Sequence, residues 1–494
     1  MLTRPIFLSL VLLGWSVPAL AHPLTLDEAL VAAVDGNADL RDAELALEQS
    51  LQRVGGAQGS YDPLLSAAHD QSHQESESFL GGSPLSSTTF SGTSSVGLTG
   101  ALASGTSWSL TSRLASQSSV VVTDLSGTSQ ESTIDNWQAS VIFGVQQDLL
   151  ALLRPSAAAI AVRQAREQSD VATLAALETR QTVLAQVAVS WWSWESAWAQ
   201  LSVAERAVAE AEETVRVTAL WVEAGESERV ELSRVQTELL AVRQALSRSR
   251  AEAARTGDAL LVLVGAPTTS DAAELTPGGG SDLNLPALGD LDAHLARARE
   301  GSPTLARQRL AVENADRSVH DQRLSALPSL GVSGQVGMSS LEADAPTALQ
   351  SLGGQSGFPS WAVGVSLSTP LGGRAAAASR SSANLTVERE ALALDTLERR
   401  LDADVRDAAR QTETASEQLE LARARLKVAE ETEAGEAARL SAGLRRTDQL
   451  LTARTARQDA ESDVLLAELA QRQAAIELAR LEGGVEQVLL ARTP

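Results

Sequence analysis

Two long stretches without proline constrain the fold of this chain more than any other feature. No proline lies between Pro155 and Pro267, or between Pro370 and Pro494. A proline inside a helix costs about 3 kcal/mol, and both stretches are rich in Ala, Leu, Glu, Gln and Arg, which favour helices. The sequence therefore predicts two long helices, each followed by a return helix: 155–222 with 228–264, and 374–441 with 446–481.

Apolar residues recur along both long helices at the spacing of a coiled-coil seam. Intervals of three and four residues alternate, with one slip between Leu201 and Ala204. Each long helix would be about 100 Å long at 1.5 Å per residue. One chain cannot bury all of these seams, so the pattern favours an oligomer. We predict that the seam residues pack rather than bind a ligand; they are Leu184, Val187, Trp191, Trp194, Trp198, Leu201, Ala204, Val208, Ala211 and Val215, then Leu419, Ala422, Leu426 and Ala429.

The sequence also repeats itself once. Residues 26–65 align without a gap on 291–330, which pairs Gly36 with Gly301. Residues 224–265 align in the same way on 442–483. Two internal repeats follow, 22–285 and 286–494, joined by a linker rich in Pro, Gly and Ser.

Each repeat opens with a predicted helical segment, 26–58 in the first and 291–326 in the second. The paired glycines are expected to interrupt these segments early. Thr25 and Glu28 have the spacing of a capping box at the start of the first segment.

Between the helical segments lie two β-regions, 61–147 and 328–370. Apolar residues there alternate with Ser, Thr and Gly, a period of two that predicts strands with one apolar face. Short turns at one end and long loops at the other are typical of outer-membrane barrels. A soluble β-domain remains the alternative. The predicted strands are 61–72, 94–103, 106–116, 136–147, 328–338 and 360–370, with polar loops at 73–93, 117–135 and 339–359.

Large aromatic residues lie near the predicted strand ends, where a membrane-interface girdle would need them. This interpretation favours a membrane barrel over a soluble domain. The candidate interface aromatics are Tyr61, Trp108, Trp137, Phe143 and Trp361.

The N-terminus has the pattern of an export signal. Arg4 precedes an apolar run over 6–17, and Ala19-Leu20-Ala21 provides a small-x-small cleavage site. We predict a signal peptide over 1–21, cleaved after Ala21; an uncleaved anchor helix is the alternative. The chain contains no Cys, so a lipid-modified N-terminal Cys is excluded.

The net charge of −23 argues against a nucleic-acid partner, because phosphate binding needs basic patches. Two interpretations of the acidity remain, a solvated helix surface and a negatively lined conduit that favours cations. His69, His73, His294 and His320 have no metal-like cluster beside them. The glycine-rich stretch 278–280 lacks the Lys-Ser/Thr of a phosphate loop. We therefore predict that the chain is not an enzyme and has no catalytic residue, metal site or cofactor.

Several short motifs, in order along nearly the whole chain, resemble TolC-like outer-membrane efflux proteins. They are Leu24-Thr25-Leu26-Asp27-Glu28-Ala29-Leu30, Gly36-Asn37-x-x-Leu40, Gln146-Gln147-x-Leu149-Leu150, Ala224-Gly225 with Val230-Glu231-Leu232, and Leu440-Ser-Ala-Gly443 with Leu450-Leu451. The resemblance implies a mostly α fold with membrane β: a trimeric outer-membrane β-barrel on a periplasmic α-barrel of coiled-coil hairpins. It implies a homotrimer in the outer membrane of a Gram-negative bacterium. The implied partners are outer-membrane lipid, a periplasmic adaptor (membrane fusion) protein and an inner-membrane pump.

The resemblance implies a passive duct of a tripartite efflux or type I secretion system. The alternatives are a periplasmic coiled-coil adaptor and a soluble scaffold. Cargo and pump class stay open, since a duct contacts its cargo weakly. At the two hairpin tips, the candidate docking and aperture residues are Val222, Gly225, Leu440, Gly443, Arg445 and Asp448.

The chain departs from the family pattern in its first β-region. The family commonly has two strands per repeat, whereas this region is predicted to have four. Either three copies form a barrel of 18 strands rather than 12, or 94–116 folds outside the barrel.

Overall fold

The computed structural model describes most of the chain and divides it into two compact units. The described residues are 23–80, 83–125, 128–152, 155–266, 275–278, 289–354, 357–369, 371–441 and 447–490. The first unit comprises the chain up to Ala46, Thr173–Gln308 and the chain from Ala393; the second comprises Leu47–Ala172 and Arg309–Leu392. The predicted signal peptide with its cleavage site, Gly443 and Arg445 lie outside the described residues.

The helices of the two repeats match closely in length. The long helices α3 and α8 have 67 and 68 residues, and the return helices α4 and α9 both have 35. None of the described helices is apolar over enough of its length to cross a membrane. In chain order the helices are α1 (Leu26–Gly36), α2 (Ala38–Gln58), α3 (Ala157–Glu223), α4 (Arg229–Leu263), α5 (Leu291–Gly301), α6 (Pro303–Ser325), α7 (Ala345–Ser351), α8 (Arg374–Ser441), α9 (Thr447–Leu481) and α10 (Val485–Leu490).

Helix starts follow from local side-chain capping. The Thr25 side chain accepts a hydrogen bond from the Glu28 backbone N–H, and the Glu28 carboxylate accepts one from the Thr25 N–H at 2.9 Å, so the predicted capping box is confirmed. Between α1 and α2, Asn37 Oδ1 accepts from the backbone N–H groups of Asp39 and Leu40. A polar side chain therefore starts α2 directly after the break at Gly36.

The coiled-coil seam is clearest in α8. Its buried residues alternate at intervals of four and three, the heptad spacing; they are Leu401, Val405, Ala408, Thr412, Ala415 and Leu419. In α3, Leu184, Val187, Trp191 and Trp194 are buried as predicted.

Beyond Leu201 the predicted seam of α3 is confirmed at Ala211, which is buried, and wrong at Ala204, Val208 and Val215. Val203 and Ala207 are buried, whereas Ala204 and Val208 are half-buried. Just before this stretch, Ala197 and Leu201 form one cluster with Ala253 of α4, so the burial of α3 also depends on its contact with α4. A single heptad spacing cannot predict which residues are buried in a helix that packs against neighbours on two sides.

The tryptophans of α3 form part of the core of the first unit. Trp191 and Trp192 are fully buried, in a cluster that takes residues from α1, α3, α9 and α10. Trp191 Nε1 also donates a hydrogen bond to the Leu24 carbonyl at 3.3 Å. The prediction that these residues pack rather than bind a ligand agrees with this burial.

Backbone contacts between glycines occur twice in the first unit. Gly36, at the end of α1, lies against Gly265, after α4: a Cβ on Gly265 would come 2.0 Å from the Gly36 carbonyl oxygen. In the second repeat, a Cβ on Gly483 would come 2.1 Å from the Gly301 oxygen. The two contacts correspond to each other under the internal alignment, which pairs Gly36 with Gly301 and Gly265 with Gly483, so the repeat exists in three dimensions as well as in sequence.

Gly265 and Gly483 are also required by their backbone conformation. Their φ angles are 73° and 72°, in the left-handed region, where each ends its helix. Gly225, after α3, has φ 77° and the same type of helix end, but a Cβ there would meet open space.

Substitution of these three glycines by alanine separates strain from steric overlap. Gly225→Ala should cost about 1–2 kcal/mol, the cost of a left-handed residue that carries a Cβ. Gly265→Ala and Gly483→Ala should cost more than about 3 kcal/mol, because the backbone must also move apart. Thermal unfolding followed by circular dichroism measures the difference. Equal midpoints for Gly225→Ala and Gly265→Ala would contradict the close contact.

Six strands form one antiparallel sheet in the second unit, in the order β1-β2-β3-β4-β5-β6. Its helical neighbour α7, capped by Asp344 at the Thr347 N–H, contacts β4 and β5. The strands are β1 (Leu64–Leu80), β2 (Ser83–Ala101), β3 (Thr106–Leu125), β4 (Thr128–Asp148), β5 (Ser329–Glu342) and β6 (Phe358–Ser368).

The predicted long loops are wrong. Strands continue through the described parts of 73–93 and 117–135, and 339–359 contains the end of β5, α7 and the start of β6. The strand ladder needs only backbone groups, and it persists where the alternation of apolar and polar side chains is lost. The alternation of apolar residues therefore predicted each strand only over the part in which one face is apolar.

Candidate functional sites: a two-faced sheet and two hairpin tips

A row of large apolar side chains crosses all six strands on one face of the sheet. Each residue is the cross-strand partner of the next: Leu65, Leu98, Leu110, Phe143, Val336 and Trp361. Five of the six are exposed, up to 79% for Trp361, and Leu98 is half-buried. Soluble monomers rarely expose an apolar patch of this extent. We call this side of the sheet the apolar face.

The opposite side of the sheet consists mostly of polar or small residues, with Leu64 and Ile142 as larger apolar exceptions. The rows next to the apolar row are Ser66, Gly97, Thr111, Ile142, Gly337 and Ser360 on one flank, and Leu64, Thr99, Ser109, Gly144, Gln335 and Ala362 on the other. Among the described strand residues, this polar face carries three charged side chains, Asp70, Arg113 and Asp148. Its chemistry suits contact with water.

The candidate interface aromatics fall at different heights on the apolar face. On β4, Trp137 and Val145 are eight residues apart, about 27 Å at 3.4 Å per residue, and Trp108 is the partner of Val145. Trp137 and Trp108 therefore lie near opposite ends of an apolar stretch close to the ~25 Å height of a barrel's lipid-facing band. Phe143 and Trp361 lie between these heights, in the apolar row. Tyr61 lies just before β1 and is half-buried.

Trp108 covers a glycine on the neighbouring strand. A Cβ added to its partner Gly100 would come 2.7 Å from the indole ring. The ring therefore lies flat over backbone that has no side chain of its own, which fixes its position on the apolar face.

Beyond Trp137 the long strands become mostly polar, although Phe90, Ile134 and the three valines at 120–122 are apolar. On β1, the apolar face continues as His69, Gln71, His73, Glu75 and Glu77. β5 and β6 have 14 and 11 residues, whereas β1–β4 have 17 to 21. The extra length of β1–β4 is thus the more polar part of the sheet.

The first hairpin tip joins α3 to α4 through Gly225. The Glu226 N–H donates to the Trp221 carbonyl at 2.8 Å, and the Gly225 N–H to the Val222 carbonyl at 3.1 Å. These bonds close the end of α3 and leave Val222 half-buried and Val230 exposed.

The second tip joins α8 to α9. Leu440 is half-buried in the last turn of α8, and Asp448 is half-buried in the first turn of α9. The structure does not bring Val222, Leu440 and Asp448 into one described cluster, and Gly443 and Arg445 lie outside the described residues.

An ion-pair cluster that the sequence did not reveal lies behind the tips. Arg457 of α9 bonds to Glu210 of α3 at 2.9 Å, to Glu433 of α8 at 2.5 Å and to Glu461 at 3.2 Å. Burial alone would lower the pKa of Arg457, but the carboxylates of Glu210, Glu433 and Glu461 outweigh it and raise that pKa above its ordinary value. The neighbouring Arg454 donates to Thr214 of α3 at 2.7 Å. Helices of both hairpins are therefore held together close to their tips.

The four histidines of the described residues have different surroundings. His69, His73 and His320 are exposed. His294 is buried, and its Nδ1 contacts the Glu482 carboxylate, in the same group as Arg297. Within the described residues no group of three or more His, Asp or Glu side chains is arranged to hold a metal ion.

Comparison with known proteins identifies the family. The sequence profile of the family described as "Outer membrane efflux protein" matches residues 109–266 and 295–484. No curated protein matches the chain in sequence.

Solved outer-membrane channels share the fold at low sequence identity. The CmeC channel of Campylobacter jejuni is 14% identical, with a TM-score of 0.66, and the alignment covers 93% of this chain and 86% of CmeC. The open-state MtrE channel of Neisseria gonorrhoeae is 18% identical, at 0.66, covering 93% and 89%. The VceC protein of Vibrio cholerae is 14% identical, at 0.65, covering 93% and 96%.

The chain belongs to the outer membrane efflux protein family, since the profile matches more than half of its length. It is a passive outer-membrane channel rather than an enzyme, and a TolC-like protein with two repeats. It functions as a trimer together with a periplasmic adaptor and an inner-membrane pump. The comparisons give no support to the alternative of an adaptor.

A charged substitution distinguishes the two faces of the sheet. Val336→Arg, in the apolar row two residues from the height of Trp108, should destabilise the membrane-inserted protein by about 1–3 kcal/mol, between the costs of Arg at the interface and at the bilayer midplane. Gln335→Arg, its neighbour on the polar face, should cost less than about 1 kcal/mol because it faces water. Urea unfolding of the protein refolded into lipid vesicles measures both. Equal losses for the two variants would contradict the assignment of the faces.

Proposed function

We propose that the apolar face of the sheet meets lipid and that the polar face lines a water-filled export duct. The apolar row across all six strands carries this proposal. The polar face has mostly small side chains and few charges. Such a surface suits a lumen through which cargo passes without being bound. The selection of cargo then belongs to the pump.

In this arrangement Trp137 and Trp108 mark the two ends of the lipid-facing band, with Tyr61 beyond Trp108. Trp and Tyr favour the membrane–water interface because their rings are apolar at one end and polar at the other. Phe143 and Trp361, between these heights, face the acyl chains. The signal peptide is cleaved after Ala21 during export.

Fractionation of cells tests the duct directly. The protein should be found in outer membranes as a trimer whose mobility in detergent gels changes on heating, as closed membrane barrels do. The matched control is Val336→Arg, which should reduce the membrane-inserted fraction, while Gln335→Arg should not. A soluble periplasmic monomer would contradict the proposed function.

We propose further that the hairpin tips are the periplasmic end of the duct. Val222, Gly225, Leu440 and Gly443 would form the surface on which the adaptor docks. Arg445 and Asp448 would close the aperture. The Arg457 cluster supports a role of this kind, since it ties both hairpins together near the tips.

Conductance in planar bilayers tests the aperture. If Arg445 and Asp448 hold it closed by attraction, Arg445→Ala and Asp448→Ala should both raise the single-channel conductance several-fold. Arg216→Ala serves as the control, because Arg216 is an exposed arginine of α3 that pairs with Glu213 one turn earlier on the same helix. Unchanged conductance in both tip variants would remove the aperture hypothesis and leave the duct intact.

A further inference from the structure

The sheet has two edges, and neither edge has a strand partner among the described residues. β1 pairs on one side with β2, and β6 pairs on one side with β5. Each edge therefore presents a row of backbone N–H and C=O groups. In a bilayer every such unpaired group costs several kcal/mol, so an open edge cannot face lipid. Both edges need a partner wherever the apolar face meets lipid.

One chain is too small to supply that partner itself. About eight strands are needed before the interior of a closed barrel can hold its side chains. Pairing β1 with β6 of the same chain would close a barrel of only six strands. The partner edge must therefore come from another copy.

The direction of the strands permits this closure. The five successive pairings are all antiparallel, so β6 runs opposite to β1. β6 of one copy can consequently pair with β1 of the next in the antiparallel sense that the rest of the sheet uses. Repeated around a ring, the same contact leaves no edge.

The side chains of the two edges also match. On β6 the apolar face consists of Trp361, Val363, Val365 and Leu367, all at least 70% exposed. On β1 the same face begins with Leu65 and Ala67. The faces remain continuous across the contact only if odd-numbered residues of β6 lie opposite odd-numbered residues of β1.

We propose that β6 of each copy pairs with β1 of the next to form an 18-stranded barrel from three six-stranded sheets. The inference rests on the trimer of the proposed function. Residues 94–116 are then part of the wall, because β1 connects to β4 only through the continuous ladders of β2 and β3. Barrels of 16–18 strands enclose an aqueous channel. Barrel diameter grows roughly linearly with strand number, so this wall is about half as wide again as one of 12 strands.

Disulfide cross-linking tests the contact, and the chain is suited to it because it has no Cys. Ser366→Cys, on the polar face of β6, is combined with one Cys on β1 at a time. Paired strands bring Cα atoms within the 4.4–6.8 Å that a disulfide spans. After oxidation, cross-linked dimers and trimers should form from at least one of Leu64→Cys, Ser66→Cys and Ala68→Cys. The opposite-face controls Leu65→Cys, Ala67→Cys and His69→Cys should remain monomeric on reducing-agent-free gels.

A second cysteine pair tests the competing arrangement. If 94–116 folds outside the wall, β1 lies beside β4 of its own chain, and Ser66→Cys with Gly144→Cys should form a disulfide within one chain. That result would overturn the 18-stranded barrel.

Native mass spectrometry of the uncross-linked variants measures their oligomeric state. This measurement distinguishes failure of the strand pairing from failure of the proposed trimeric duct. An intact trimer with no cross-link from any of the three even-numbered positions would overturn the strand pairing but not the duct. A monomer in the membrane fraction would overturn the trimer and the barrel together.

Discussion

Backbone polar groups that face lipid must find their hydrogen bonds inside the protein, and most features of this sheet follow from that requirement. Five antiparallel ladders satisfy the groups within the sheet. The side chains then divide between an apolar face and a polar one because alternate residues of a strand point to opposite sides. The two edges remain, and only another copy can satisfy them. Membrane insertion, a wet lumen and assembly are thus consequences of one constraint.

The helical part depends on a different contact, which is made of backbone alone. In each repeat a glycine that ends the first short helix lies against a glycine that ends the return helix: Gly36 with Gly265, and Gly301 with Gly483. Such an approach excludes any side chain. It fixes the short helices relative to the long hairpin at corresponding points of the two repeats, which agrees with the nearly equal lengths of their helices.

The long helices could be predicted because the signal is local: an absence of proline and a regular apolar period. The existence of six strands was equally readable. Their lengths were not, because the ladder continues through residues 73–80, where most side chains are polar, and through 117–125, where three successive valines break the apolar alternation. Alternation of apolar and polar residues is expected only where one face of a strand meets lipid. A strand that continues into water no longer shows this alternation.

Contacts between distant residues were beyond sequence reasoning. Gly36 and Gly265 can each be predicted to end a helix, but the sequence around them does not indicate that the two residues are in contact. Arg457 and Glu210 are 247 positions apart, and each resembles any charged residue on a solvated helix. At the tips the sequence named candidates from a resemblance, and of these the structure places Val222, Gly225, Leu440 and Asp448 at helix ends.

The central claim is that one face of the sheet meets lipid and the other meets water. The most direct measurement is a scan of single cysteines along β6, each labelled with a fluorophore, in the protein reconstituted into vesicles. At Trp361, Val363, Val365 and Leu367 the label should be quenched by brominated lipid, and at Ser360, Ala362, Gly364 and Ser366 by aqueous iodide. Iodide quenching at every position, without alternation, would show a soluble β-domain and contradict the account.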